Sequence, residues 1–88
     1  MKLDIFSVFD AKAKTFCTPF FSSNISTATR AFAHAANDKT TDIGRYPSDF
    51  TLYHIGTFND SDCEFDLVPP HPIAIAVTLL DPQEPSHV

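Results

Sequence analysis

The chain has 88 residues, 43% of them hydrophobic and 19% charged, which places it in the globular range with room for one domain whose folding removes about 64% of the unfolded surface. Nine Phe and no Trp point to a core built on phenylalanine. The formal net charge of −5 excludes the basic domain or stripe typical of phosphate-dominated nucleic-acid binding, leaves room for a local patch, and suits a soluble protein with a protein partner.

Leu3 to Phe9 (LDIFSVF) is rich in β-branched and aromatic residues and reads as a strand. Leu3, Ile5 and Phe9 project one way and Phe6 and Val8 the other, so a central strand covered on both sides is expected. Asp10 to Lys14 is a polar hairpin connection, and Thr15 to Phe21 returns as a second strand that Pro19 pushes toward an edge or an early end. In the next segment Ile25, Ala28, Phe32, Ala35 and Ala36 fall at helical spacing, with Ser23, Asn24 or Ser26 as the cap and Asn37-Asp38 as the end. The small residues on this stripe let the helix lie close to a sheet, anchored by Phe32.

Lys39 to Ser48 is a polar loop. Phe50 to Phe58 is a strand in which Gly56 marks a bulge or a close backbone approach. After a turn at Asn59 to Asp62, Phe65 and Leu67 alternate with Glu64 and Asp66, giving one buried and one solvated face. Pro69, Pro70 and Pro72 break the pattern before a last strand from Ile73 to Leu80, whose large side chains at 73, 75, 77 and 79 are expected inward. The sequence therefore predicts a single α+β domain over residues 1–80, a sheet of four to five antiparallel strands with one helix on one face in the order β-β-α-β-β-β, and a frayed tail at 81–88.

No constellation here carries recognisable catalysis or metal binding. His34, His54, His71 and His87 form no i, i+4 pair and have no Cys-x-x-Cys beside them. Asp60, Asp62, Glu64 and Asp66 occupy alternate positions, but Phe65 stands where a calcium loop needs glycine, so they read as a solvated strand face. Cys17 and Cys63 read as buried, reduced thiols. No nucleophile has a legible base, and two glycines cannot form a phosphate-cradling loop. Catalytic residues, metal and cofactor are thus all expected to be absent. One arrangement suits nucleic acid: Lys12, Lys14 and Phe16 at alternate positions put two cations and a ring on one side, and Arg30, Arg45, Tyr46 and Tyr53 extend it. The plainer reading, in which both lysines solvate a hairpin tip and Phe16 joins the core, is favoured by the acidic total.

Two aromatic-rich blocks, Val8 to Phe21 (VFDAKAKTFCTPFF) and Tyr46 to Asp60 (YPSDFTLYHIGTFND), flank the helical TRAFAHAAND. In this register, over roughly the first sixty residues, the chain resembles the small non-structural protein of the gokushoviruses, single-stranded DNA phages of the microvirus group. The resemblance implies an accessory role in genome replication or in the switch from replication to packaging, in a family often described as DNA-associated. With no signal peptide read at the N-terminus and no run near the roughly 20 apolar residues that cross a bilayer, the expected place is the host cytoplasm, away from membranes. Weak single-stranded DNA binding is one reading. The alternative is a homo-oligomeric interaction module for a phage or host replication protein, and the sheet edges before Pro19 and after Pro72 make a two-fold dimer the expected assembly.

Overall fold

The computed structural model describes residues 1–82, and its frame is the antiparallel sheet. Strands β1 (Lys2–Asp10), β2 (Thr15–Phe16) and β3 (Phe20–Ser22) precede helix α1 (Ile25–Ala36) and the short helix α2 (Asp42–Arg45). Strands β4 (Phe50–Asn59) and β5 (Glu64–Ile75) follow, with single 3-10 turns at Pro47–Asp49 and Ala76–Leu79. Across the sheet the order is β2-β1-β4-β5, and β3 pairs with the first half of β1 on the edge where β2 pairs with the second. The α+β class and the four to five antiparallel strands under one main helix are as the sequence predicts, with β1 central. No helix among the described residues is long and apolar enough to cross a membrane.

Three boundaries differ from expectation. The second strand is two fragments, because the stretch from Cys17 to Pro19 steps out of the ladder. The Cys17 amide donating to the Val8 carbonyl and the Ser7 hydroxyl donating to the Cys17 carbonyl, both at 2.7 Å, hold that break against β1. The polar loop contains α2, capped where Gly44 N–H donates to Thr41 Oγ1 at 3.0 Å. Pro69, Pro70 and Pro72 do not end a strand: β5 runs through them, and the expected last strand from Ile73 to Leu80 is instead the end of β5 plus a 3-10 turn. An edge strand tolerates prolines because its outer side has no ladder to lose, and irregular registers between Leu52/Tyr53 and His54/Gly56 absorb the extra residues of β5. Most of the expected tail, residues 83–88, lies outside the described residues. Asp81 is anchored by its amide donating to Asn37 Oδ1 at 2.7 Å.

Helix α1 begins as its sequence dictates. The Asn24 side chain accepts from the Thr27 amide at 2.7 Å, satisfying an orphan donor of the first turn. Its inward stripe is Ala28, Phe32 and Ala36, while Ile25 in the first turn, read from the spacing as part of that stripe, is exposed. The stripe meets Phe6, Val8, Phe50 and Leu52, with Ala76 completing a core that Phe20, Ile43, Ile73 and Leu79 flank. All helical elements thus pack on one face of the sheet. Ile5 is buried but belongs to the other face, outside that cluster.

Phe32 is 3% exposed at the centre of the helix contact, so Phe32→Ala is expected to cost about 3–5 kcal/mol through lost burial and a residual cavity. Thermal unfolding followed by circular dichroism reads this as a large fall in melting temperature. Gly56 pairs with both Ile5 and Leu67, and a Cβ there would stand 2.6 Å from the Asp66 carbonyl oxygen and 3.0 Å from Leu67 Cα. Because backbone, not a flexible side chain, blocks the space, Gly56→Ala is expected to cost about 1–3 kcal/mol, measured as a lower urea midpoint at unchanged slope.

Candidate functional site

Strand alternation sends Phe6 and Val8 toward the helix, so Leu3, Ile5, Ser7 and Phe9 point to the opposite face. Across the ladder, Phe9 joins Phe16 of β2, Ser7 joins Tyr53, Ile5 joins Phe21 and Gly56, and Leu3 joins Phe58. Phe58 in turn pairs with Phe65, and Gly56 with Leu67. The face away from the helix is therefore aromatic from end to end.

Its rings form two triads. Near the β1–β2 turn, Phe9, Phe16 and Tyr53 have centroids 4.9, 6.3 and 5.3 Å apart, the two contacts to Tyr53 being edge-to-face. Toward the β4–β5 turn, Phe21, Phe58 and Phe65 have centroids 5.5, 6.3 and 4.8 Å apart. These separations are those of favourable offset and edge contacts. Between the triads Ile5 and Ser7 are almost inaccessible, whereas the outer rings stay open: Phe16 is 44%, Phe21 48% and Phe65 54% exposed, and neighbouring Leu67 68%.

The predicted burial of Phe65 and Leu67, and the plainer placement of Phe16 in the core, are corrected here. Alternation along these strands is as read, but among the described residues no second layer lies over that side. Ile75 and Val77, expected inward, are also exposed, Ile75 because its partner Thr51 stands beside Phe9 on the open face and Val77 because the chain has left the sheet for a 3-10 turn.

Of the residues that the sequence grouped for nucleic acid, Phe16 and Tyr53 meet in the first triad, beside the Ala11–Lys14 turn that carries Lys12 and Lys14. That turn is fixed from within. Asp10 Oδ1 accepts from the Lys12 and Ala13 amides at 3.0 and 3.2 Å, the Asp10 carbonyl accepts from the Lys14 amide at 2.7 Å, and Lys14 takes a φ of 57°. Lys12 also lines a cleft with Tyr46 and Phe50. Three carboxylates, Asp10, Asp42 and Asp49, share that cleft, so its field repels phosphate.

Arg45 is committed elsewhere, donating through Nε to the Lys39 carbonyl at 3.2 Å and pairing with Asp42 at 3.7 Å. Arg30 is exposed on α1, in the layer on the far side of the sheet. The seven residues do not form one surface.

The carboxylate row is broken as well. Asp60 lies in the β4–β5 turn and pairs with the N-terminal amine at 2.8 Å. Asp62 Oδ1 accepts from the Glu64 amide at 3.1 Å, while Glu64 and Asp66 share a groove with Lys2, Thr57 and Asn59. Beyond the reach of α1, then, the helix side of the sheet is polar where the open side is aromatic.

His54 is half-buried, its Nε2 3.0 Å from Asp4 Oδ1 and its ring edge-to-face with Phe6. The two thiols are exposed, contrary to expectation, because Cys17 sits in the β2–β3 break and Cys63, with φ 61°, in the β4–β5 turn. Partial desolvation, and secondarily the Asp10 carboxylate, push the Cys17 thiol pKa up, away from the thiolate that a reactive cysteine needs.

Sequence reasoning missed Phe9, Phe21, Phe58, Phe65 and Leu67 as a surface. The usable signal was a count of layers, since strands apolar on both faces were offered one 12-residue helix.

Comparison with known proteins supplies a family and no structural relative. No curated protein and no solved structure matches the chain. A family model described as Phage ORF5 protein matches residues 3–79, a span that takes in every strand, both helices and both aromatic triads, and the chain therefore belongs to the phage ORF5 protein family.

Proposed function

We propose that this chain is a non-structural accessory protein of a small single-stranded DNA phage of the microvirus group, acting in the host cytoplasm by binding and not by catalysis. Its working surface in this reading is the open aromatic face, and its partner is a protein. The observation that carries it is the pair of ring triads on a face with no covering layer among the described residues, where exposed apolar groups cluster and are not scattered. Such a patch marks an interaction surface. Phage context comes from the family, and the microvirus assignment from the resemblance of the two aromatic blocks and the helix between them. A role during replication or the switch to packaging is what that resemblance implies.

A second reading is weak single-stranded DNA binding, favoured by one feature: Phe16 and Tyr53, edge to face at 5.3 Å, lie beside the turn that bears Lys12 and Lys14. Bases stack on such rings, and phosphates need cations along their path. Two lysines against the carboxylates of the neighbouring cleft make a poor path, so the protein reading ranks first.

A titration with single-stranded oligonucleotide at two salt concentrations separates the two. The protein reading expects no binding at micromolar concentration and low salt. Binding with a log–log salt slope of about −1.4, lost in the joint Lys12→Ala and Lys14→Ala variant, would put the DNA reading in its place, since each phosphate contact on a single strand contributes roughly 0.7 to the slope and two lysines carry this reading.

A further inference from the structure

We infer that the occupant of the open aromatic face is a second copy of this chain, seated face to face about a two-fold axis that lies in the interface plane and crosses the strands. This rests on the reading that the open face is the working surface, and it names what covers it.

Edges are the usual route by which sheets assemble, and here both are blunted. On one side the outermost strands, β2 and β3, are two and three residues long with a break between them. On the other, β5 carries Pro69, Pro70 and Pro72, which have no N–H to donate. Short strands and prolines are how a sheet discourages edge pairing, which leaves the face.

The size of the face fits. Strands of 9 and 10 residues at its centre, in a sheet four strands wide, give a footprint of roughly 600 Å² at about 3.3 Å per residue and about 4.8 Å per strand. Projecting rings make the accessible area larger than the footprint. A stable interface needs roughly 800 Å² per partner, and homodimer interfaces are the more apolar class.

Charge selects the orientation. The β1–β2 turn with Lys12 and Lys14 and the β4–β5 turn with Asp60 and Asp62 lie at opposite ends of the β1–β4 ladder, about 30 Å apart at ~3.3 Å per residue. Around the acidic turn, Asp60, Asp62, Glu64 and Asp66 are faced by the N-terminal amine and Lys2 alone. Of these contacts only that of Asp60 with the amine is an ion pair among the described residues, and Lys12 and Lys14 have none there.

With the axis along the strands, the two acidic turns would meet, and like charges so placed oppose association. With the axis across the strands, the lysine turn of each copy faces the acidic turn of the other. The Phe9–Phe16–Tyr53 triad of one copy then packs on the Phe21–Phe58–Phe65 triad of the other, twice by symmetry, as a self-complementary two-fold interface requires.

The test is sedimentation velocity on the full chain over a concentration series, together with disulfide trapping. Wild type is expected at twice the monomer mass at micromolar concentration. Phe65→Ser with Leu67→Ser, at positions already more than half exposed, is expected to raise the dimer dissociation constant at least tenfold while leaving the circular dichroism spectrum unchanged.

Lys14→Cys in a Cys17→Ser background is expected to cross-link on oxidation to Cys63 of the second copy, and that cross-link is expected to vanish when Cys63→Ser is added. A monomer at every concentration overturns the second copy as occupant while leaving the face open to another protein. A dimer indifferent to the Phe65 and Leu67 changes overturns the face itself. Wild-type oxidation that yields chiefly Cys63 to Cys63 cross-links overturns the orientation, because it brings the acidic turns together.

Discussion

The packing of α1 against Phe6, Val8, Phe50 and Leu52 is the contact on which the rest of the structure depends. One helix of 12 residues is about 18 Å long at ~1.5 Å per residue, and the central strands are nearly twice that. It covers part of one face. Everything else follows from how the uncovered remainder is handled: α2 and the 3-10 turns extend the cover on the same side, polar residues fill the helix side beyond it, and two aromatic triads with aliphatic residues between them take the other side.

That other side is neither core nor ordinary surface. Among the described residues, Ile5 and Ser7 are buried there with no helix over them, between the flanking rings of the same sheet and, for Ser7, against the Cys17 carbonyl. A layer built this way gains aromatic contact energy, of order 0.5–1.5 kcal/mol per pair beyond area burial, while still presenting about half of each outer ring to solvent. The arrangement stabilises the monomer and leaves apolar area available for association.

The electrostatic layout complements this. The acidic total does not spread evenly: the β4–β5 turn and its groove hold four carboxylates, the cleft beside Tyr46 holds three, and the aromatic face has ionisable residues only at its two ends. The partner proposed above, a second copy whose ends carry the opposite pattern, matches this layout.

Much of this was legible in the residues. The helix, its cap among Ser23, Asn24 and Ser26, which proved to be Asn24, and its Phe32 anchor were readable because spacing and capping are local properties of the chain. The strand at Leu3 to Phe9 and its place inside the sheet were readable too, as was a bulge or close approach at Gly56, but the cover expected on both sides of that strand is found on one side only among the described residues. The candidate face was not. Phe65 and Leu67 alternate with Glu64 and Asp66 as a buried face does, and alternation states which side a residue takes without stating what lies over that side. Cys17 and Cys63 looked buried for the same reason, as apolar types near strands, until the break at Pro19 and the turn at Asp60 to Cys63 put them outside. The prolines of β5 signalled an end only until the strand proved to be an edge. Sequence thus determined helix α1, the long strands β1 and β4 and the alternation of side chains along β1, because these depend on neighbours one to four residues away. Tertiary structure alone decided which face the single helix covers, and so which phenylalanines form a core and which form a surface, because that depends on the number of layers available and not on any local pattern.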